Sequence, residues 1–254
     1  MVGMVGKDTI LVTGGFGKLG TELVPILSQT SSAVLVPKHA ELDVKNTQAI
    51  IDFCKKNSIT QILHLAAISD QKWADQHKPE SYETNVIGTR NVANAAKILN
   101  IKITYISTDY IFDGIVGGYK EEDAPKPANW YGFTKYAGEL EVQNSGAEYC
   151  IIRTSFRPKT WAFPTAFTNV ITSADYVDVI AKEISYCIQS KLTGIIHIGT
   201  PKKSFHDLAK QRNPQVKEEI NNDGTFPKNR FLNIDKWLAI KQSKIKNIEK
   251  GAIK

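Results

Sequence analysis

Tyr131 and Lys135 stand four residues apart in the stretch Trp130-Tyr131-Gly132-Phe133-Thr134-Lys135-Tyr136-Ala137-Gly138-Glu139. On a helix that spacing puts both side chains on one face, one turn from each other. The pairing has a chemical use. A free phenol, with a pKa near about 10, is a poor proton donor or acceptor at neutral pH. An ammonium beside it stabilises the phenolate and brings that pKa toward the useful range. Upstream, the apolar run 101–106 leads into Ser107-Thr108-Asp109-Tyr110. A hydroxyl from Thr108 would hold a carbonyl while Tyr131 delivers a proton to it. Taken alone, Y-x-x-x-K also describes a packed tyrosine and a solvated lysine, so its meaning depends on what positions it.

The positioning elements begin at Ile10-Leu11-Val12-Thr13-Gly14-Gly15-Phe16-Gly17-Lys18-Leu19-Gly20. The run 9–13 is aliphatic and β-branched, which suits a strand buried on both faces. Glycines at 14, 17 and 20 then give a G-x-x-G-x-x-G turn into a helix over 18–28, with apolar residues at Leu19, Leu23, Ile26 and Leu27. Gly14 allows a tight turn, Gly17 lets backbone N–H groups approach a pyrophosphate, and Gly20 keeps the helix close. The helix N-terminus favours phosphate oxygens. This predicts a nucleotide site, against the plainer reading of an unliganded strand-turn-helix corner.

Further strands are read at 33–36, 61–65 and 101–106, with helices at 46–56, capped by Asn46, and at 79–97. Small residues Ala66 and Ala67 would let the loop after the third strand pass close to an adenosine. Asn85, inside the long helix, reads as a structural hydrogen-bonder. Lys38 and His39, at the end of the second strand, either accept the extra phosphate of NADP or are solvated; the first favours NADP over NAD. Alternating strands and helices without a repeat predict an α/β fold, a doubly wound parallel sheet. Right-handed crossovers then gather the glycine turn, Ala66-Ala67 and Ser107-Thr108 at one sheet edge.

Composition sets bounds. Hydrophobic and charged fractions of 42% and 23% are those of a soluble globular chain of 254 residues with room for a substantial core. The net charge of +6 is scattered lysine without arginine clusters, which argues against nucleic acid and for an anionic metabolite. Cys54, Cys150 and Cys187 lie in apolar surroundings and read as buried reduced thiols; no spacing suggests a metal. Residues 1–7 are too short for a signal peptide and no run reaches a membrane span, so the chain reads as cytoplasmic. A helix docking through Trp237, Leu238 and Ile240 is expected from 235 onward, ending in a frayed lysine-rich tail.

Three segments make the pattern specific: Ser107-Thr-Asp-Tyr-Ile-Phe-Asp-Gly114, Tyr119-Lys-Glu-Glu-Asp-Ala-Pro125 and Tyr131-Gly-Phe-Thr-Lys-Tyr-Ala-Gly-Glu139. With Arg153-Thr-Ser155, Thr193-Gly-Ile-Ile-His-Ile-Gly199 and Asn229-Arg-Phe-Leu-Asn-Ile-Asp-Lys236, they resemble the extended short-chain dehydrogenase/reductases, most closely the dTDP-4-dehydrorhamnose reductase family. The resemblance implies a Rossmann-type doubly wound sheet over 1–155 and a small C-terminal substrate-binding portion, 156–254, interleaved with late sheet elements. It implies Thr108, Tyr131 and Lys135 as catalytic residues, with Lys135 also on the nicotinamide ribose. Gly14, Phe16, Gly17, Lys18, Leu19, Asp43, Val44, Ala66 and Ala67 would line NADP(H) or NAD(H). Asp109 and Tyr110 would face a nucleotide-diphosphate sugar. A 4-keto-6-deoxy sugar reduced at C4 is the implied substrate. Related dehydratases carry Asp-Glu after the threonine, whereas Tyr110 follows Asp109 here, which favours simple reduction. A homodimer is the assembly considered.

Two departures stand out. Where the family has a longer stretch opening with an aromatic and a glycine, this chain has Phe156-Arg157-Pro158-Lys159-Thr160-Trp161-Ala162-Phe163-Pro164, and the helix near 205–211 is short. Arg157, Lys159 and Arg230 either contact a diphosphate or are surface charges; Trp161 either stacks on a base or belongs to the core. Two rival readings remain. One is a non-catalytic NADP-binding regulatory subunit, as a family relative is for a methionine adenosyltransferase; the intact Thr108, Tyr131 and Lys135 argue against it. The other is a sugar-nucleotide epimerase or bifunctional epimerase-reductase, for which no second acid–base pair is visible.

Overall fold

A computed structural model describes residues 8–222 and 226–252 of the chain. The readings placed on residues 1–7 and on the very end of the lysine-rich tail lie outside the described residues. Strand β1 (Thr9–Thr13) leads through the glycine turn into helix α1 (Gly20–Ser28), and β2 (Ala33–Leu35), α2 (Thr47–Lys56) and β3 (Gln61–His64) follow. Helices α3 (Gln71–Gln76), α4 (Lys78–Tyr82) and α5 (Thr89–Leu99) precede β4 (Lys102–Thr108), α6 (Trp130–Asn144) and β5 (Tyr149–Thr154). Short strands β6 (Phe156–Arg157), β7 (Thr165–Phe167), β8 (Ile171–Thr172) and β9 (Asp175–Tyr176) lead into α7 (Val177–Gln189) and β10 (Gly194–Ile198). Last come β11 (Lys203–Ser204), α8 (Phe205–Lys210), β12 (Lys217–Glu219) and α9 (Asp235–Ala252).

The central sheet is six-stranded and parallel, in the order β10-β5-β4-β3-β1-β2. Side chains alternate across a strand, and β1 uses both faces. Ile10 and Val12 join a core with Leu19, Leu23, Leu27, Ile180, Ile184 and Trp237. Leu11 packs on the other side with Ile50, Ile51, Val92, Ala96 and Val142. Helices therefore cover both faces, which is why the strands read as continuous apolar runs. The chain leaves β1 outward to β2 and returns to β3 on its other side. That reversal makes a crevice at the strands' C-terminal ends. The sixth strand, β10, comes from residues after the short strands, so the sheet is completed late in the chain.

Several sequence readings need correction. The helix read over 79–97 is continuous in path but contains a π-helical turn at Glu83–Gly88. Strand β4 carries Ser107 and Thr108 within it rather than ending at 106. Of the three residues expected to dock the last helix, Trp237 is fully buried and Ile240 packs on the core, while Leu238 faces solvent. Trp237 is fixed because its Nε1 donates to Glu183 Oε2 at 2.7 Å, a partner that α7 supplies. All three cysteines are buried and free.

Candidate active site

The glycine turn is built for close approach. Gly14 has φ +68°, and a Cβ there would stand 2.5 Å from Ala66 backbone atoms. Gly14 carbonyl accepts the Gly17 N–H at 3.0 Å, closing the turn. Gly20 serves as expected, with the partner now visible: a Cβ on it would lie 2.1 Å from the Gly15 carbonyl oxygen. No side chain caps α1; the Thr21 and Glu22 N–H groups donate to the Gly17 and Leu19 carbonyls, so the turn itself satisfies part of the helix start.

Two adjoining cavities run along the C-terminal edge of the sheet. One, of about 210 Å³, is lined by Gly14, Phe16, Gly17, His39, Asp43, Val44 and Ala66. The other, of about 630 Å³, takes in Lys18, Leu19, Ala66, Ala67, Thr108, Tyr110, Tyr131, Lys135 and Arg157. Gly14, Gly17, Ala66 and Thr84 border both. The residues singled out for the cofactor and for the chemistry therefore share one cleft. Two polar atoms in its floor or beside it, Ser107 Oγ and Thr154 Oγ1, are buried without a partner.

Helix α6 starts where Asn129 caps it, its side chain accepting from the Gly132 N–H at 2.8 Å. Tyr131 lies in the first turn and Lys135 one turn on. Enclosure of the Tyr131 hydroxyl raises its pKa above the ordinary tyrosine value; a hydrogen bond with Thr108 opposes this and the nearby Asp109 adds to it. This reverses the expected lowering by Lys135, because desolvation of the phenolate outweighs the other influences. Tyr131 is thus held in the protonated form. Lys135 is only 3% exposed, and burial brings its pKa down to about 7, against the opposing pull of Glu139. Its Nζ sits 4.1 Å from the Tyr105 ring centroid, a cation–π contact.

The wall behind Tyr110 is charged. Asp109 is 2% and Arg230 3% exposed, so both lie beneath the cleft surface rather than on it. The Arg230 guanidinium carbon is 3.6 Å from the Tyr110 ring centroid, and Tyr110 meets Tyr131 edge-on at 6.0 Å. Arg230 Nε and Nη1 are buried without partners. Burial raises the Asp109 pKa, which Arg230 and Arg157 oppose. Arg157 reaches the cleft, its guanidinium 4.3 Å from the Phe205 ring centroid. Lys159 does not join them: it is a surface charge paired with Glu22 at 2.8 Å. Trp161 takes the core alternative, packing with Ala166, Ala209 and Val216 while its Nε1 donates to the Thr165 carbonyl. Lys38 is exposed, and it is His39 that borders the cleft.

Supporting residues tie these parts together. Asn85 Oδ1 accepts the Ile68 N–H at 2.8 Å, and its Nδ2 donates to the Ile68 carbonyl and Thr134 Oγ1, both at 3.0 Å. Thr134 Oγ1 in turn donates to the Tyr131 carbonyl. The cofactor-side loop and the tyrosine's turn are thereby joined through one amide, as its structural reading required. His64 was not legible from sequence, where it is only a polar residue ending an apolar run. Thr89 Oγ1 donates to the Asn85 carbonyl and so accepts from His64 Nε2–H, leaving Nδ1 to accept from Thr13 Oγ1 at 2.7 Å. Burial, with Lys135 nearby, pushes His64 down to about 3.

Sequence comparison matches residues 8–186 to the family described as RmlD substrate binding domain. The chain belongs to that family. Among RmlD-type relatives, the dTDP-4-dehydrorhamnose reductase of Aggregatibacter actinomycetemcomitans is 30% identical over 69% of this chain and 61% of its own length. Methionine adenosyltransferase 2 subunit beta of Bos taurus is 28% identical over 57% of this chain and 45% of that protein. The alignments thus span about half to three-fifths of these relatives. In structure, the dTDP-4-dehydrorhamnose reductase of Bacillus anthracis str. Ames, in complex with NADP, superposes with a TM-score of 0.81 at 27% identity, covering 93% of each chain. Among the described residues no group of acidic, histidine or cysteine side chains could hold a metal, and no helix is long and apolar enough to cross a membrane.

Proposed function

We propose that this chain is a cytosolic NAD(P)H-dependent reductase of a nucleotide-linked 4-keto-6-deoxy sugar. The observation that supports it most is the meeting of Thr108, Tyr131 and Lys135 with the glycine turn along one cleft. Gly14, Gly17 and the uncapped start of α1 would hold the cofactor pyrophosphate, with Asp43, Val44 and Phe16 toward the adenosine. The NADP in complex with the Bacillus anthracis relative makes the phosphorylated cofactor the first choice. The cofactor, when bound, supplies the hydride for the sugar's C4.

This chain's residues do the rest. Thr108 Oγ1 donates to the ketone oxygen and orients it. Tyr131, kept protonated by its enclosure, gives its proton to that oxygen as negative charge develops. Lys135 then stabilises the phenolate left behind. Tyr110 faces the sugar, and Asp109 and Arg230 set the position and charge of that wall from behind. Arg157, which lines the cleft, would be a cation for the diphosphate. The assay is NADPH oxidation with dTDP- or UDP-4-keto-6-deoxyglucose. Turnover that survives unchanged in Tyr131→Phe would overturn the assignment. The Bos taurus relative, by name a subunit of another enzyme, motivates a second reading as a non-catalytic NADP-binding partner. Tight NADP binding with no consumption on any keto sugar would select it.

A further inference from the structure

Tyr131, Lys135 and Glu139 follow one another at four-residue intervals along α6 and so share a face. Glu139 is completely buried, lines neither cavity and has no place in the proton transfer. Burying a carboxylate costs several kcal/mol unless it is paired, and here it is locked. Arg153 Nε donates to Glu139 Oε1 at 3.0 Å and Oε2 at 3.2 Å, and Nη2 donates to Oε2 at 2.8 Å. Arg153 is itself held from behind. Its Nη1 donates to the Glu121 carbonyl at 3.1 Å and points toward His197 Nε2. His197 is kept neutral by burial, its Nδ1–H directed at the Tyr119 and Asn233 carbonyls.

The groups facing the Lys135 ammonium are few. From β3 comes neutral His64; from β4, the Tyr105 ring; from α6, Glu139 one turn on; and from β5, behind Glu139, Arg153. Tyr105 is held under the ammonium because its hydroxyl donates to the Lys135 carbonyl and Gly138 leaves room: a Cβ there would stand 2.4 Å from that hydroxyl. Glu139 is the one anion in this set. We propose that Glu139 is a positioning residue whose carboxylate, fixed by Arg153, is the countercharge that keeps Lys135 an ammonium inside the protein. The buried ion pair thus does more than fasten α6 to β5: it supplies the charge on which Tyr131 depends. This rests on the reading of Tyr131 and Lys135 as the proton-donating pair, and its test does not need turnover.

The test is a pH titration of Lys135 by NMR in protein carrying isotope-labelled lysine, with Lys135→Met assigning the signal. Glu139→Gln should move the Lys135 midpoint down by about one pH unit or more, roughly a tenfold change in the charged fraction. Glu139→Asp keeps the charge, so it should leave the midpoint near the wild-type value even though it weakens the ion pair and lowers Tm. If Glu139→Gln leaves an unpaired guanidinium that prevents folding, Glu139→Gln/Arg153→Gln removes both charges and should still titrate below wild type. An unchanged midpoint in the glutamine variants, or equal shifts for glutamine and aspartate, overturns the proposal. A shifted midpoint in a protein that consumes no NADPH would keep it and sink the reductase reading instead.

Discussion

At the scale of single residues, the proposed carbonyl reduction needs a proton held ready and a cation nearby. Tyr131 is protonated because its hydroxyl is enclosed, and Lys135 stays near its titration point because burial and Glu139 oppose each other. Replacing Tyr131 with Phe removes only the hydroxyl. It should lower kcat by about 10²–10⁴-fold, the usual worth of a general acid, while NADPH affinity measured by fluorescence stays within about twofold. The pH dependence follows from Lys135. A lysine depressed to about 7 loses its charge as pH rises through that value. The kcat/KM profile should therefore fall on the alkaline side of about 7, and a flat profile up to pH 9 would count against Lys135 as the cation.

At the scale of elements, the site depends on a few ties between segments that sequence keeps apart. Asn85, in the π turn between α4 and α5, bonds both the loop at Ile68 and Thr134 in α6. Asn85→Ala leaves the Ile68 backbone groups and Thr134 without these partners. A loss of about 1–3 kcal/mol in urea denaturation is expected, together with weaker NADPH binding as the loop slackens. A variant that loses stability but binds NADPH normally would show that the loop is held by other means. The π turn was not legible from periodicity, because the five residues of α4 before it are too few to establish a phase from which a shift could be read. Asn85 makes its bonds to both partners from within that turn.

For the molecule as a whole, two buried neutral histidines make stability depend on pH. His64 and His197 are both held down to about 3 by burial, far below the ordinary value of about 6.5. Between those values the unfolded chain binds protons that the folded chain refuses, so stability falls as pH falls. The histidine contribution should be fully present above about 6.5 and decline toward about 3, each histidine giving about 1.4 kcal/mol per pH unit over most of that range. Urea midpoints from pH 7 to 4 would measure it. In His64→Gln the slope should drop by about half of the histidine contribution; an unaltered slope would assign the acid sensitivity to other groups.

The sequence alone determined the parallel sheet, its ligand edge, the glycine turn and the Thr108, Tyr131 and Lys135 set. Each is written locally, in apolar runs, in glycine spacing and in a four-residue interval that one helix turn converts into proximity. Tertiary structure decided what surrounds those groups. It alone brought Arg153 from β5 onto Glu139, set Arg230 against Tyr110 under the surface, and sent Lys159 to Glu22 instead. It also reversed the expected direction for Tyr131, since a phenol's pKa follows how much water and charge remain around it. Proximity along a helix is a property of the chain; desolvation belongs to everything that packs against it.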